Sequence, residues 1–248
     1  MRKLGLGFAL LFAVTSGWAQ SKFFVKAGIG PSIPLGIFED QETQEEAALA
    51  KTGTNLALTL GRDFHKNFGL SITGSTWRNP VDEDKAGARA VEQYPFVQEL
   101  RISSQDWRFG TVYLSPHGTV RVGDWLRLDV RANAGLLWSQ YPSFTGTGQG
   151  TDPRDGQVKP FTVFTQTLRG TSFVYGGGGT AAIRVAQQFH LFADVDGLRS
   201  RPQFPASKIQ AGLGTTSGTT NLSLTQDRSE FRQKVGTLSV RLGAGLFF

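Results

Sequence analysis

The chain has 248 residues, a formal net charge of +6, 31 glycines and 19 phenylalanines, but one methionine and no cysteine. Disulfides therefore contribute nothing to its stability, and this composition favours strands, tight turns and aromatic rims over packed helices. No basic patch interleaved with aromatics is present, so the modest positive charge does not point to nucleic acid.

Met1, Arg2 and Lys3 make a positive start, Leu4 to Val14 an apolar run, and Gly17, Trp18 and Ala19 a small-x-small cleavage site. This pattern predicts a secretory signal peptide over residues 1–19, leaving residues 20–248 as one mature domain. The apolar run falls short of the roughly 20 residues needed to span a bilayer. No cysteine follows that could carry a lipid anchor. Loss of Arg2 and Lys3 lowers the net charge from +6 to +4. No later apolar run is long enough for a spanning helix, which argues against a helical inner-membrane protein.

Period-two alternation then marks eight strands. The first, 23–30, sets Phe23, Val25, Ala27 and Ile29 against Phe24, Lys26, Gly28 and Gly30. The second, 55–63, alternates Leu56, Leu58 and Leu60 with Asn55, Ala57, Thr59 and Gly61. A turn at 65–67 leads to the third, 68–77, where the two faces are hardest to tell apart. In the fourth, 107–121, Val112, Leu114, Pro116, Gly118 and Val120 oppose Thr111, Tyr113, Ser115, His117, Thr119 and Arg121. Pro116 removes a ladder donor there, and a bulge is expected to accommodate it. The fifth, 126–136, alternates six apolar residues from Leu126 to Leu136 with Arg127, Asp129, Arg131, Asn133 and Gly135. The sixth covers 173–184 and the seventh 190–196. The eighth ends Leu238 to Phe248, with a start as early as Phe231.

The connections at 31–53, 78–106, 139–170 and 197–230 are long and polar, whereas the other three are only a few residues. Long loops on one side and tight turns on the other are the arrangement of outer-membrane barrels. The expected fold is all-β: an eight-stranded antiparallel transmembrane up-and-down β-barrel with four long extracellular loops and three short periplasmic turns. A soluble sandwich would instead need its apolar faces to pair with each other. The implied location is the bacterial outer membrane.

The run Gly110 to Pro116, followed by a tight turn and Leu126 to Trp138, resembles the outer-membrane β-barrel family of Bacteroidota. That family is also called porin-family or PorT-like, and is related in build to OmpA- and OmpX-type barrels. Tyr175 to Arg184 and the terminal Leu246, Phe247 and Phe248 are similar to its later strands. The resemblance covers the mature chain as a pattern and contains no catalytic motif. It implies fold and location, and an accessory role in secretion as one possible task.

The inward polar set is Lys26, His117, Arg127, Asp129, Arg131, Arg184, Asp194, Asp196 and Arg241. The interior of an eight-stranded barrel is only wide enough for side chains, so these residues are expected to pair and plug it. Asp129 should offset Arg127 and Arg131, and Asp194 and Asp196 should meet Arg184 or Lys26. Leu246 and Phe248 read as a C-terminal assembly signal. Phe68, Trp107, Trp125, Trp138, Tyr141, Phe189 and Phe248 at strand ends read as interfacial girdles.

No catalytic site, cofactor or metal is expected. His65 and His190 lie towards the turn side, and Ser115 and His117 share the inward face without a recognisable hydrolase signature. Glu39, Asp40, Glu42, Glu45 and Glu46 could offer oxygen ligands, but their spacing fits no calcium loop. The stretch 41–50 reads equally as a short solvated helix, and Asp152 and Asp155 are a weaker pair. The glycine runs 176–179 and 146–150 lack the lysine of a phosphate loop. The expected protein is a monomeric, non-enzymatic barrel acting through surface loops or envelope partners, in surface interaction, envelope integrity or secretion. Its expected contacts are outer-membrane lipid and lipopolysaccharide, the barrel-assembly machinery and other envelope proteins. The alternatives are a narrow channel for small solutes and a lipid-modifying enzyme.

Overall fold

A computed structural model describes residues 22–39, 48–93, 96–152, 155–214 and 220–248. The expected signal peptide and the acidic run from Asp40 to Glu46 lie outside the described residues. In chain order the strands are β1 (Lys22–Pro34), β2 (Gly53–His65), β3 (Phe68–Asn79), β4 (Val97–Ser104) and β5 (Trp107–Val122). Next come β6 (Leu126–Tyr141), β7 (Phe144–Thr151), β8 (Val158–Thr165), β9 (Leu168–Arg184) and β10 (Phe189–Ser200). The last are β11 (Gln203–Phe204), β12 (Ser207–Gly214), β13 (Thr220–Arg228), β14 (Phe231–Arg232) and β15 (Val235–Phe247). A single α-helix among the described residues, α1 (Glu83–Gln93), precedes β4.

Eight strands, β1, β2, β3, β5, β6, β9, β10 and β15, pair antiparallel in that order, and β15 returns to β1 to close the barrel. They are the eight alternating segments of the sequence, most of them continuing further on the loop side. Closure leaves no unpaired edge, which a backbone surrounded by lipid requires. On β3 the faces resolve cleanly: Ser71, Thr73, Ser75 and Trp77 are buried inside, while Phe68, Leu70 and Ile72 point outward. Pro116 needs no bulge. It faces outward, the β5–β6 ladder skips Ser115 and Pro116, and pairing resumes at His117 with Arg131 in unchanged register.

The outer wall is apolar on every barrel strand, with Val130 74 % exposed and Leu242 67 % exposed. A continuous exposed belt of this kind is not tolerated in water and marks the surface that meets lipid. On β3 it runs from Phe68 to Thr76 before Arg78, close to the roughly 9–11 residues of a strand that crosses a bilayer.

The long, polar connections carry regular structure of their own. They supply a second, five-stranded sheet in the order β13-β12-β8-β7-β4. Its small core is Val97, Phe161 and Leu213, joined by Phe96, Leu100 and Val91 of α1. Gly87 permits that helix to approach β4, because a Cβ there would lie 2.8 Å from the Leu100 carbonyl oxygen. Glycine- and threonine-rich strands such as β7 carry little apolar alternation, so period two did not reveal them. The terminal barrel strand starts at Val235, and Phe231 belongs to the short β14 paired with β11. Ala48, Leu49 and Ala50 form no solvated helix: all three are buried, and Ala50 bridges to Val81.

Glycines separate into two kinds. A Cβ on the inward Gly61 would lie 2.1 Å from the Phe24 ring, whereas one on the outward Gly74 would meet nothing within 4 Å. Gly61→Ala is expected to cost about 1–3 kcal/mol through overpacking, and Gly74→Ala less than about 0.5 kcal/mol. Urea titration of the heat-modifiable folded band measures both.

Candidate functional site

The interior is filled by side chains in three layers. Nearest the short turns, Arg127 forks onto Asp63, with Nη1 and Nη2 donating at 2.7 and 3.0 Å, while its Nε donates to Asp129 at 2.8 Å. Arg121 reaches the same Asp63 at 2.9 Å, and His117 Nε2 lies 3.1 Å from it. The rings of Phe24 and Phe247 stack 5.2 Å apart below, each with the Arg127 guanidinium about 5 Å from its centre. Alternation explains the arrangement, since these residues sit on inward positions of β1, β2, β5, β6 and β15.

The middle layer holds the densest charge. Arg131 from β6 contacts Asp194 at 2.8 Å and Asp196 at 2.7 Å, both on β10. Arg241 from β15 pairs with the same two aspartates and donates to Asn55 Oδ1 at 3.2 Å. Asn133 and the Tyr113 hydroxyl donate to Asp196 at 2.7 and 3.1 Å. Thr180 accepts from Lys26 and Arg131 and donates to Asp194. Lys26 also lies over the Phe24 and Phe192 rings, at 5.3 and 5.4 Å. Buried charges persist only when paired and hydrogen-bonded, and here hydroxyls and amides occupy the positions the ion pairs leave over.

Towards the long loops the filling becomes aromatic. Trp77, Trp107, Phe109, Phe204 and Leu137 pack with Phe38 from the first loop. Phe38 meets Trp107 and Phe109 edge-on, each at 5.5 Å, and the Trp107 indole donates to the Ala48 carbonyl at 3.2 Å. Phe38, Ala48, Leu49 and Ala50 of the first loop thus join the aromatic filling at the mouth.

Eight of the nine expected inward polar residues lie in these layers; Arg184 does not. It is exposed at the turn-side rim beside Gln188 and His190, so Asp194 and Asp196 pair with Arg131 and Arg241 in its place. Asp129 offsets Arg127 alone, since Arg131 reaches past β9 to Asp194 and Asp196 on β10. Trp107 is 1 % exposed and belongs to the mouth filling rather than to a girdle, and Tyr141 packs against it at 4.8 Å. Phe68, Trp125, Trp138, Phe189 and Phe248 do face outward. Leu246 and Phe248 are exposed on the outer face at the turn-side end of β15. Asp63 was missed although it lies two residues beyond Gly61 on the same face; Asn55, Tyr113, Asn133 and Thr180 were missed as neutral partners.

The serine–histidine pair does not assemble for chemistry. Ser115 Oγ donates to Asn133 at 2.7 Å, and His117 turns its Nδ1 towards the Ser115 carbonyl and its Nε2 to Asp63. Both residues are buried in the lumen. Asp152 and Asp155 share Lys159, which donates to them at 2.7 and 2.6 Å. The Lys159 hydrogen bond lowers the Asp155 pKa below its ordinary carboxylate value. A depressed folded pKa means that this tether contributes above the ordinary range and is lost as pH falls through the folded value. Among the described residues no group of three or more acids, histidines or cysteines could hold a metal.

No protein-family profile and no curated protein matches the chain. Solved structures do. The attachment invasion locus protein Ail of Yersinia pestis aligns over 92 % of this chain and 99 % of its own, at 15 % identity and a TM-score of 0.44. A major outer membrane protein of Thermus thermophilus aligns over the same shares, at 17 % identity and a TM-score of 0.44. The outer membrane protein OprG of Pseudomonas aeruginosa covers 92 % and 96 %, at 11 % identity and 0.43.

Removing one partner of a buried pair strands the other, at a cost of about 3–5 kcal/mol. Asp196→Ala and Arg241→Met are each expected to destabilise the barrel by that amount in urea titrations from lipid vesicles. Arg184→Ala at the rim should stay within about 0.5 kcal/mol.

Proposed function

We propose that this chain is a non-enzymatic outer-membrane barrel that works through its extracellular sheet by binding an envelope protein partner. The observation that carries the reading is a contrast between the two ends of the structure. The lumen is filled by buried side chains in every layer. The long loops, by contrast, spend their residues on a second sheet with its own core. A filled lumen supports a scaffold over a conduit. A serine and a histidine engaged elsewhere and shut away from lipid support a scaffold over a lipid-modifying enzyme.

Within the extracellular sheet, β13 pairs with β12 and, among the described residues, ends the strand order, while α1 lies against β4 at the other end. An edge of that kind offers a row of backbone donors and acceptors to an incoming strand. A partner protein is therefore favoured, and the secretion-accessory role implied by the PorT-like resemblance is one setting for it. Leu246 and Phe248, outward at the end of β15, are the residues we assign to recognition by the barrel-assembly machinery.

Gentle extraction from outer membranes is expected to yield the barrel with a stoichiometric envelope protein. Replacing residues 207–228 by a short glycine–serine turn should leave a heat-modifiable barrel and release that protein. A lone monomer from wild-type membranes would overturn the partner reading. In planar bilayers the purified barrel should show no conductance steps, and regular steps would transfer the reading to passage of small solutes. Ser115→Ala should leave the lipid composition of the membrane unchanged.

A further inference from the structure

Four consecutive barrel strands carry an unusual row on their outer face. Arg78 of β3 stands directly opposite Arg108 of β5, Arg108 opposite Gln140 of β6, and Gln140 opposite Arg169 of β9. All three arginines are exposed, and none has an ion-pair partner among the described residues. Like charges directly across a strand pair repel, so Arg78 and Arg108 destabilise this wall unless an anion lies between them. The row sits at the long-loop end of the apolar belt, where the outer leaflet meets water.

Below the row the wall is hollowed. A groove of about 640 Å³ is lined by Arg108, Arg169, Gln140, Thr76, Gly110 and Trp138. A second, of about 510 Å³, continues down the lipid face past Leu56, Leu58 and Gly74, and shares Thr76, Gly110 and Trp138 with the first. The hollow comes from Gly74 and Gly110. A Cβ on either would meet nothing within 4 Å, so no packing inside the fold requires glycine at these outward positions. The inward Gly61 and Gly69 differ, because Cβ atoms there would run into Phe24 and His117.

Cations above and a dent below are the two halves of a lipid site: phosphate at the arginines, an acyl chain in the hollow, and Trp138 at the boundary between them. The charge is also spread out. Three strand spacings separate Arg78 from Arg169, roughly 14 Å at about 4.8 Å each. A single phosphodiester engages one end of such a row. A headgroup with two phosphates set apart on a sugar scaffold engages both, with Gln140 between them for hydroxyls. We propose that this wall holds one molecule of the phosphorylated glycolipid of the outer leaflet in a defined site. The inference rests on the outer-membrane reading of the protein and gives that location a specific lipid partner.

The test uses the mature barrel in nanodiscs of zwitterionic lipid, titrated with diphosphorylated lipid A and monitored by native mass spectrometry. The expected result is one tightly retained lipid A per barrel. Affinity should fall at least tenfold in Arg108→Gln/Arg169→Gln and at least threefold in Gly110→Leu, with heat modifiability retained in both. Lipid A stripped of its phosphates should bind wild type as weakly as intact lipid A binds the double variant. Equal affinity for stripped and intact lipid A, or a double variant within twofold of wild type, would overturn the site. Phosphatidylglycerol binding as tightly as lipid A would overturn the assignment to a glycolipid. If Gly110→Leu fails to fold, Gly74→Leu replaces it as the variant that fills the hollow. Membrane fractionation separates the two levels: a barrel in the outer membrane that ignores lipid A sinks only this inference, whereas recovery elsewhere sinks the reading beneath it.

Discussion

Arg131 and Arg241 meet Asp194 and Asp196 at the centre of a lumen surrounded by lipid, and neither side of that contact could be withdrawn without stranding a buried charge. The four residues come from β6, β10 and β15, so the contact spans β9 and ties strands that are not all hydrogen-bonded neighbours. It also pins register. A slip of one residue would turn the charges into lipid, and a slip of two would separate them along the axis. The glycines and small hydroxyl residues of the other strands make room for these guanidinium groups. Where charge gives out towards the loops, aromatic rings complete the filling.

The number and location of the barrel strands, and the inward face of all but the third, were legible in the sequence, because alternation with period two is imposed residue by residue by the contrast between lipid and lumen. Pro116 shows how local that signal is: an outward proline costs ladder bonds but leaves the alternation intact. Partner choice was less legible. Asp194 meets Arg131 rather than Arg184 because tilt and stagger decide which inward residues share a level, and neither can be read from one strand at a time. Trp107 had the position of a girdle residue, yet its parity placed it inside.

The extracellular sheet was hidden for a different reason. It has only a small core of Val97, Phe161 and Leu213, which does not impose a regular apolar face along its strands. Composition alone then reads them as loop. The outward glycines posed the reverse problem. In sequence Gly74 and Gly110 look like any barrel glycine, and only the emptiness around them distinguishes them from Gly61.

The seam between β1 and β15 has a consequence for the order of events. Phe24 pairs with Phe247, and the Phe248 amide donates to the Phe23 carbonyl at 2.8 Å, so the last barrel strand to be synthesised seals the first. Until then both edges are open, and the charges of the future lumen have no enclosed place to meet. Closure of such distant segments pays its chain entropy before any contact rewards it. The barrel seam is thus the one pairing that needs both ends of the barrel chain, whereas every other pairing joins successive barrel strands.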